Sequence, residues 1–216
     1  MINDLVSTPV GTARITWYPA PGTVRAIALL GHGSATGIEA PDLQALAAAL
    51  PPRGITVALV TQPYRHEGNP RVADENSLDR AWTAVWRSNA VRTAAGPGLP
   101  IIAGGRSAGS QVACRTAAEL GAHAVLALAY PLLGPGSARE LLSTARPTLI
   151  VQGGSDSFGR PADFPPLPPE LEMVEIPFAT HTFGTGSHYS QTTAMARITD
   201  AVTGWMDRRP NQKVHP

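Results

Sequence analysis

Short, largely apolar segments alternate with helical patterns along most of the chain, and this alternation limits the fold more than any other feature. Residues 26–30, Ala-Ile-Ala-Leu-Leu, are apolar without interruption. A strand covered on both faces gives that pattern. With Arg25 it forms a predicted strand over 25–30. Residues 56–61, 99–103, 124–129, 148–151 and 171–176 repeat the theme, each bounded by Gly, Pro or polar residues. Residues 13–18 read as an edge strand.

Helices are expected between these segments. Leu43, Leu46, Ala47 and Leu50 share one face at 3.6-residue periodicity, with Asp42 as the expected cap and Pro51-Pro52 as the stop. A longer helix is predicted over 78–91, burying Leu78, Trp82, Val85 and Trp86. Another runs over 108–120, with Val112, Ala113, Ala117 and Leu120 in its stripe and Gly121 as C-cap. A last helix covers about 191–208, with Met195, Ile198, Val202 and Trp205 as its seam. Strands alternating with helices imply an α/β fold, a mainly parallel central sheet with helices on both faces. No linker divides the pattern. One domain over 1–216 is expected, with 209–216 as a frayed tail. Ligand sites in such sheets gather in loops beyond the C-terminal strand ends.

One such loop carries Gly105-Arg106-Ser107-Ala108-Gly109, a G-x-S-x-G between a predicted strand and a predicted helix. A nucleophilic serine needs a tight strand-to-helix turn that lifts its oxygen clear, with small neighbours where backbones pass closely. Gly105 and Gly109 supply those neighbours. Ala108 N–H, at the helix start, is placed to donate to an oxyanion. The plainer alternative makes Ser107 a helix N-cap. Ser110 reads as a packing or capping residue and Cys114 as a small buried hydrophobe.

A serine hydroxyl needs a general base, and the base needs an orienting carboxylate. Among six histidines, His181 stands in the loop after the strand 171–176, and Asp156 in the loop after 148–151. The order Ser, Asp, His is the one expected on this kind of sheet. Turn-capping for Asp156 and an ordinary surface position for His181 are the plainer readings. Asp163 and His188 are the substitutes. The loop Gly31-His32-Gly33-Ser34-Ala35-Thr36-Gly37 follows the strand 25–30. Ser34 N–H is the candidate second oxyanion donor, with His32 bracing the loop. The glycines match neither a dinucleotide fingerprint nor a phosphate-binding loop. Tyr64, Arg65 and Arg71, after the strand 56–61, are candidate substrate-binding residues; a solvated polar loop with internal salt bridges is the plainer reading. Arg106 stands either near substrate or in an ion pair beneath the elbow.

Composition excludes other classes. Seventeen basic against 16 acidic side chains leave a net charge of +1, which provides no electrostatic grip on nucleic acid or on an anionic membrane. The single Cys114 excludes an intramolecular disulfide or a cysteine metal cluster. With no signal sequence and no span-length apolar run, a cytoplasmic protein is expected, with no oligomeric state implied.

Taken together, these segments resemble the α/β-hydrolase superfamily, and within it a compact branch similar to dienelactone hydrolases and testis-expressed-protein-like hydrolases. LLGHGSATG resembles its oxyanion loop, GGRSAGSQVA its nucleophile elbow, VQGGSDSFG its acid loop and ATHTFG its histidine loop. QPYRHEGNPR resembles a further loop of that branch. The resemblance implies serine hydrolysis of a carboxylic ester or related acyl bond of a small molecule, through an acyl-enzyme and without a cofactor or metal. It places Ser107, Asp156 and His181 in the triad and Ser34 and Ala108 at the oxyanion hole. Thioesterase or amidase chemistry, or a noncatalytic binding role, are the alternatives. The elbow holds Ser107 where a dienelactone hydrolase has cysteine. No long insertion separates 129 from 148, so no large lid domain is expected.

Overall fold

The computed structural model describes residues 2–69, 73–134 and 136–208. Eight strands form one sheet in the order β1-β2-β4-β3-β5-β6-β7-β8. They are β1 (Ile2–Thr8), β2 (Gly11–Tyr18), β3 (Ala26–Gly31), β4 (Ile55–Thr61), β5 (Ile101–Arg106), β6 (Ala124–Leu128), β7 (Thr148–Gly153) and β8 (Leu171–Ile176). β1 and β2 pair antiparallel, as do β2 and β4, and every later pairing is parallel. All residues of β3, β4, β6 and β7 are buried, as the unbroken apolar runs require. Burying a leucine such as Leu29 or Leu30 completely stabilises the fold by about 1.5–3 kcal/mol each.

Helices cover both faces. On one side α1 (Pro41–Ala49) and α7 (Gln191–Asp207) pack on Leu30, Leu59, Leu128 and Val151. On the other, α3 (Glu75–Trp86), α4 (Asn89–Ala95) and α5 (Ala108–Leu120) cover Ile27, Leu29, Ala103 and Val125. Two shorter helices, α2 (Pro63–His66) and α6 (Ser137–Leu142), lie in connections. Among the described residues no helix is long and apolar enough to cross a membrane, and none forms a separate lid domain.

Five expectations need correction. Residues 13–18 are not at the edge, because β1 covers them. β1 buries only Val6 fully and lacks a regular alternation, so it carries little sequence signal. The helix expected over 78–91 is two helices. Asp74 caps the first by accepting from Ser77 N–H, and Ser88 restarts the chain by accepting from Val91 N–H. Asp42 is not a cap: Ala40 holds that position, Pro41 opens α1, and the Asp42 carboxylate turns inward. β5 continues past Ala103 to Arg106, directly before Ser107. In the last helix Ile198, Val202 and Trp205 are buried, but Met195 only partly.

β3 is followed by β4 on one side, while the chain next crosses to β5 on the other. The loops leaving β3 and β5 therefore diverge at a topological switch point, where ligand crevices open. The loops after β7 and β8 leave the same sheet end.

Candidate active site

Ser107 sits between β5 and α5 with φ +50° and ψ −122°. A non-glycine residue there stores about 1–3 kcal/mol of strain. Its side chain makes no capping bond to α5, which removes the N-cap reading. The hydroxyl instead lies 2.9 Å from His181 Nε2. His181 Nδ1 lies 2.9 Å and 3.1 Å from the two Asp156 carboxylate oxygens. With the proton on Nδ1 donated to Asp156, Nε2 is left to accept from Ser107 O–H. Three strand-end loops thus bring together the three residues that the sequence pointed to.

Asp156 is buried and fully engaged. Its Oδ1 accepts from Phe158 N–H at 2.8 Å, and its Oδ2 from Gln152 Nε2 at 2.9 Å. Ser155 N–H donates to Ala179 O, which joins the acid loop to the histidine loop. Gln152 also accepts from Tyr130 N–H and donates to the Tyr130 and Gly159 carbonyls. Asp163, the substitute acid, instead accepts from Arg160 N–H in a short surface turn. His188, the substitute base, stacks on Phe178.

The loop after β3 borders the nucleophile. A Cβ placed on Gly33 would stand 3.3 Å from Ser107 Cβ. His32 braces this loop: Nδ1–H donates to Gly33 O at 2.7 Å, and Nε2 accepts from Gln62 N–H at 3.1 Å. The acceptor role of Nε2 needs the neutral ring, and burial holds its pKa below the usual value. Ala108 N–H opens α5 and has no acceptor within the helix.

The remaining expected residues fare differently. Tyr64 is buried, its hydroxyl 3.4 Å from Ser34 O and its ring edge-on to His32. It supports the loop. Arg65 is exposed and pairs with Glu39 at 3.2 Å. Arg71 lies outside the described residues. Arg106 is buried in an ion pair with Asp42. Ser110 Oγ donates to Ser107 O within the first turn of α5. Burial pushes the Cys114 thiol up to about 12, so it has no thiolate chemistry at neutral pH.

The chain that carries this hydrogen-bonded row has relatives among known sequences. A family model described as alpha/beta hydrolase domain matches residues 24–207. The chain belongs to the alpha/beta hydrolase family. Solved structures agree on the fold of this alpha/beta hydrolase. An alpha-beta serine hydrolase homologue from Coxiella burnetii is 19% identical, with 94% of this chain and 96% of that one covered at TM-score 0.76. A serine hydrolase described as without lid, from Xanthomonas campestris, is 21% identical, with 94% of each chain covered at TM-score 0.75. A dienelactone hydrolase from Anabaena variabilis is 19% identical, with 97% and 98% covered at TM-score 0.76. No curated protein matches the chain significantly.

Sequence reasoning missed two residues of this alpha/beta hydrolase's site. Phe158 packs its ring 4.4 Å from the His181 ring and leaves half its surface open. Gln152 carries a sequence signal: a polar side chain directly after the apolar run 149–151 of a buried strand. Replacing Gln152 with leucine roughly keeps the volume but removes its bonds to Asp156, Gly159 and Tyr130. We expect kcat to fall about 10–100-fold, the size usual for losing an orienting partner of a site residue. Steady-state kinetics beside a thermal melt checks this.

Proposed function

We propose that this chain is a serine hydrolase that cleaves a carboxylic ester, or a related acyl bond, through an acyl-enzyme intermediate. The Ser107–His181–Asp156 hydrogen-bond row carries the reading. His181 Nε2 takes the Ser107 proton as Oγ attacks the carbonyl carbon. Asp156 holds the ring in the productive tautomer and stabilises the imidazolium that forms. Ala108 and Ser34 N–H groups receive the oxyanion. His181 then protonates the leaving group, and later activates the water that releases the acid. These steps use only the chain's own groups, and the substrate is a small acyl compound. We also assign the whole chain, 1–216, to one domain.

The surroundings favour an apolar group beside the scissile bond. Phe158 lies against His181, and exposed Leu133 donates its N–H to Phe158 O. Thioesters and amides offer the same carbonyl chemistry. Esters are favoured over amides because amide resonance makes the carbonyl less electrophilic, and the assay below separates esters from thioesters.

A fluorophosphonate probe tests the assignment directly. We expect stoichiometric labelling of Ser107, located by peptide mass, and loss of the label in unfolded protein. A panel of p-nitrophenyl esters and acyl thioesters should show turnover that the probe abolishes. An unlabelled Ser107 in folded protein, with every ester intact, would overturn the reading.

A further inference from the structure

The guanidinium of Arg106 lies under the elbow, 4% exposed, and makes three directed bonds. Nε donates to Asp42 Oδ2 on α1 at 3.1 Å. One terminal nitrogen donates to Thr36 Oγ1 at 2.9 Å, in the loop that carries Ser34. The other donates to the backbone carbonyl of His181 at 2.9 Å. Arg106 is also covalently next to Ser107. The backbones of nucleophile and base are therefore joined by one planar side chain, and the oxyanion loop hangs from the same plane.

We propose that Arg106 is a positioning residue that fixes the Ser107–His181 separation and the placement of the oxyanion loop, with Asp42 as the anchor that orients its fork. The inference rests on Ser107 being the nucleophile.

Stability alone does not account for the arrangement. A buried ion pair gains little over well-packed apolar residues, because desolvation offsets the attraction. Burial indeed raises the Asp42 pKa despite the guanidinium beside it. The amides of Asp42 and Leu43 also face this carboxylate, at the positive end of α1. What apolar residues would lack is direction: three coplanar donors meeting acceptors on three separate segments. Without them, Thr180 keeps its loop bonds to Gly184 and Phe183, but the His181 backbone loses its tie to the elbow. A shift of about 1 Å in such a pair lowers turnover about a hundredfold.

The test separates packing from positioning. In the double variant D42L/R106M both charges are gone and the volume is retained. We expect a urea midpoint at or above the parent's. We also expect kcat on p-nitrophenyl acetate, and the rate of fluorophosphonate labelling, to fall about a hundredfold, with KM moving less than about threefold. Arg106→Lys keeps the charge beside Asp42 but not the fork, and should show most of the same loss. If the double variant fails to fold, Thr36→Val removes one bond of the three and should still slow labelling about tenfold. Parent-like rates in folded D42L/R106M, or in Arg106→Lys and Thr36→Val together, overturn the inference alone. An unlabelled Ser107 in the parent overturns the functional reading and this inference with it.

Discussion

Replacing Ser107 with alanine is expected to lower ester turnover by about 10⁶-fold, the loss seen when the nucleophile of a working triad is removed. The fold should hardly notice. The hydroxyl's bond to His181 contributes about 1 kcal/mol to stability, against a total of about 5–15 kcal/mol for a domain. Ser107→Gly adds a second measurement. Glycine should be equally inactive yet more stable than alanine, because relief of about 1–3 kcal/mol of strain at φ +50° exceeds the roughly 0.5–1 kcal/mol of extra chain entropy that glycine loses on folding. Stopped-flow turnover and urea titration of the three proteins decide both points. Alanine at a tenth or more of parental activity would remove Ser107 from the mechanism.

The strain is the reason the elbow was readable. A serine in this backbone region needs small residues where α5 and the β3 end approach it, so the requirement is written locally as Gly105 and Gly109. The triad loops were readable for a related cause. Asp156 stands in the short loop after the buried β7 and His181 in the loop after the partly buried β8, and the sheet order carries both to one rim. Fully buried strands such as β3 and β4 announce themselves by composition alone. β1 does not, because an edge strand with one buried side chain resembles a loop. Asp42 misled for a different reason. An aspartate beside a proline at a helix start is the ordinary signature of a cap, and its true partner, Arg106, is 64 residues away. Phe158 meets His181 only through the fold, and Gln152 reaches Tyr130 22 residues away, so spacing alone does not reveal either contact.

Gly109→Val is expected to damage fold and site together. A Cβ at this position would stand 2.7 Å from Gly31 C, Gly31 O and His32 O. All three are backbone atoms, so no rotamer change gives way. Ordinary overpacking costs about 1–3 kcal/mol where side chains can shift. Here the start of α5 must move off β3, and we expect about 3–5 kcal/mol, the range of severe single-site losses. Gly109→Ala meets the same contacts with its single Cβ and should lose most of that amount. Either movement separates Ser107 from Gly33 and His32, which set the oxyanion loop. Labelling by fluorophosphonate should therefore slow at least about a hundredfold even in the fraction that stays folded. By contrast, nothing stands within 4 Å of a Cβ placed on Gly121, at the far end of the same helix. Gly121→Ala meets only the penalty of its left-handed backbone, φ +68°, about 1–2 kcal/mol, and labelling of Ser107 should proceed at the parental rate. If Gly109→Ala matched Gly121→Ala in both measurements, the close crossing of helix and strand would not be what holds the nucleophile in place.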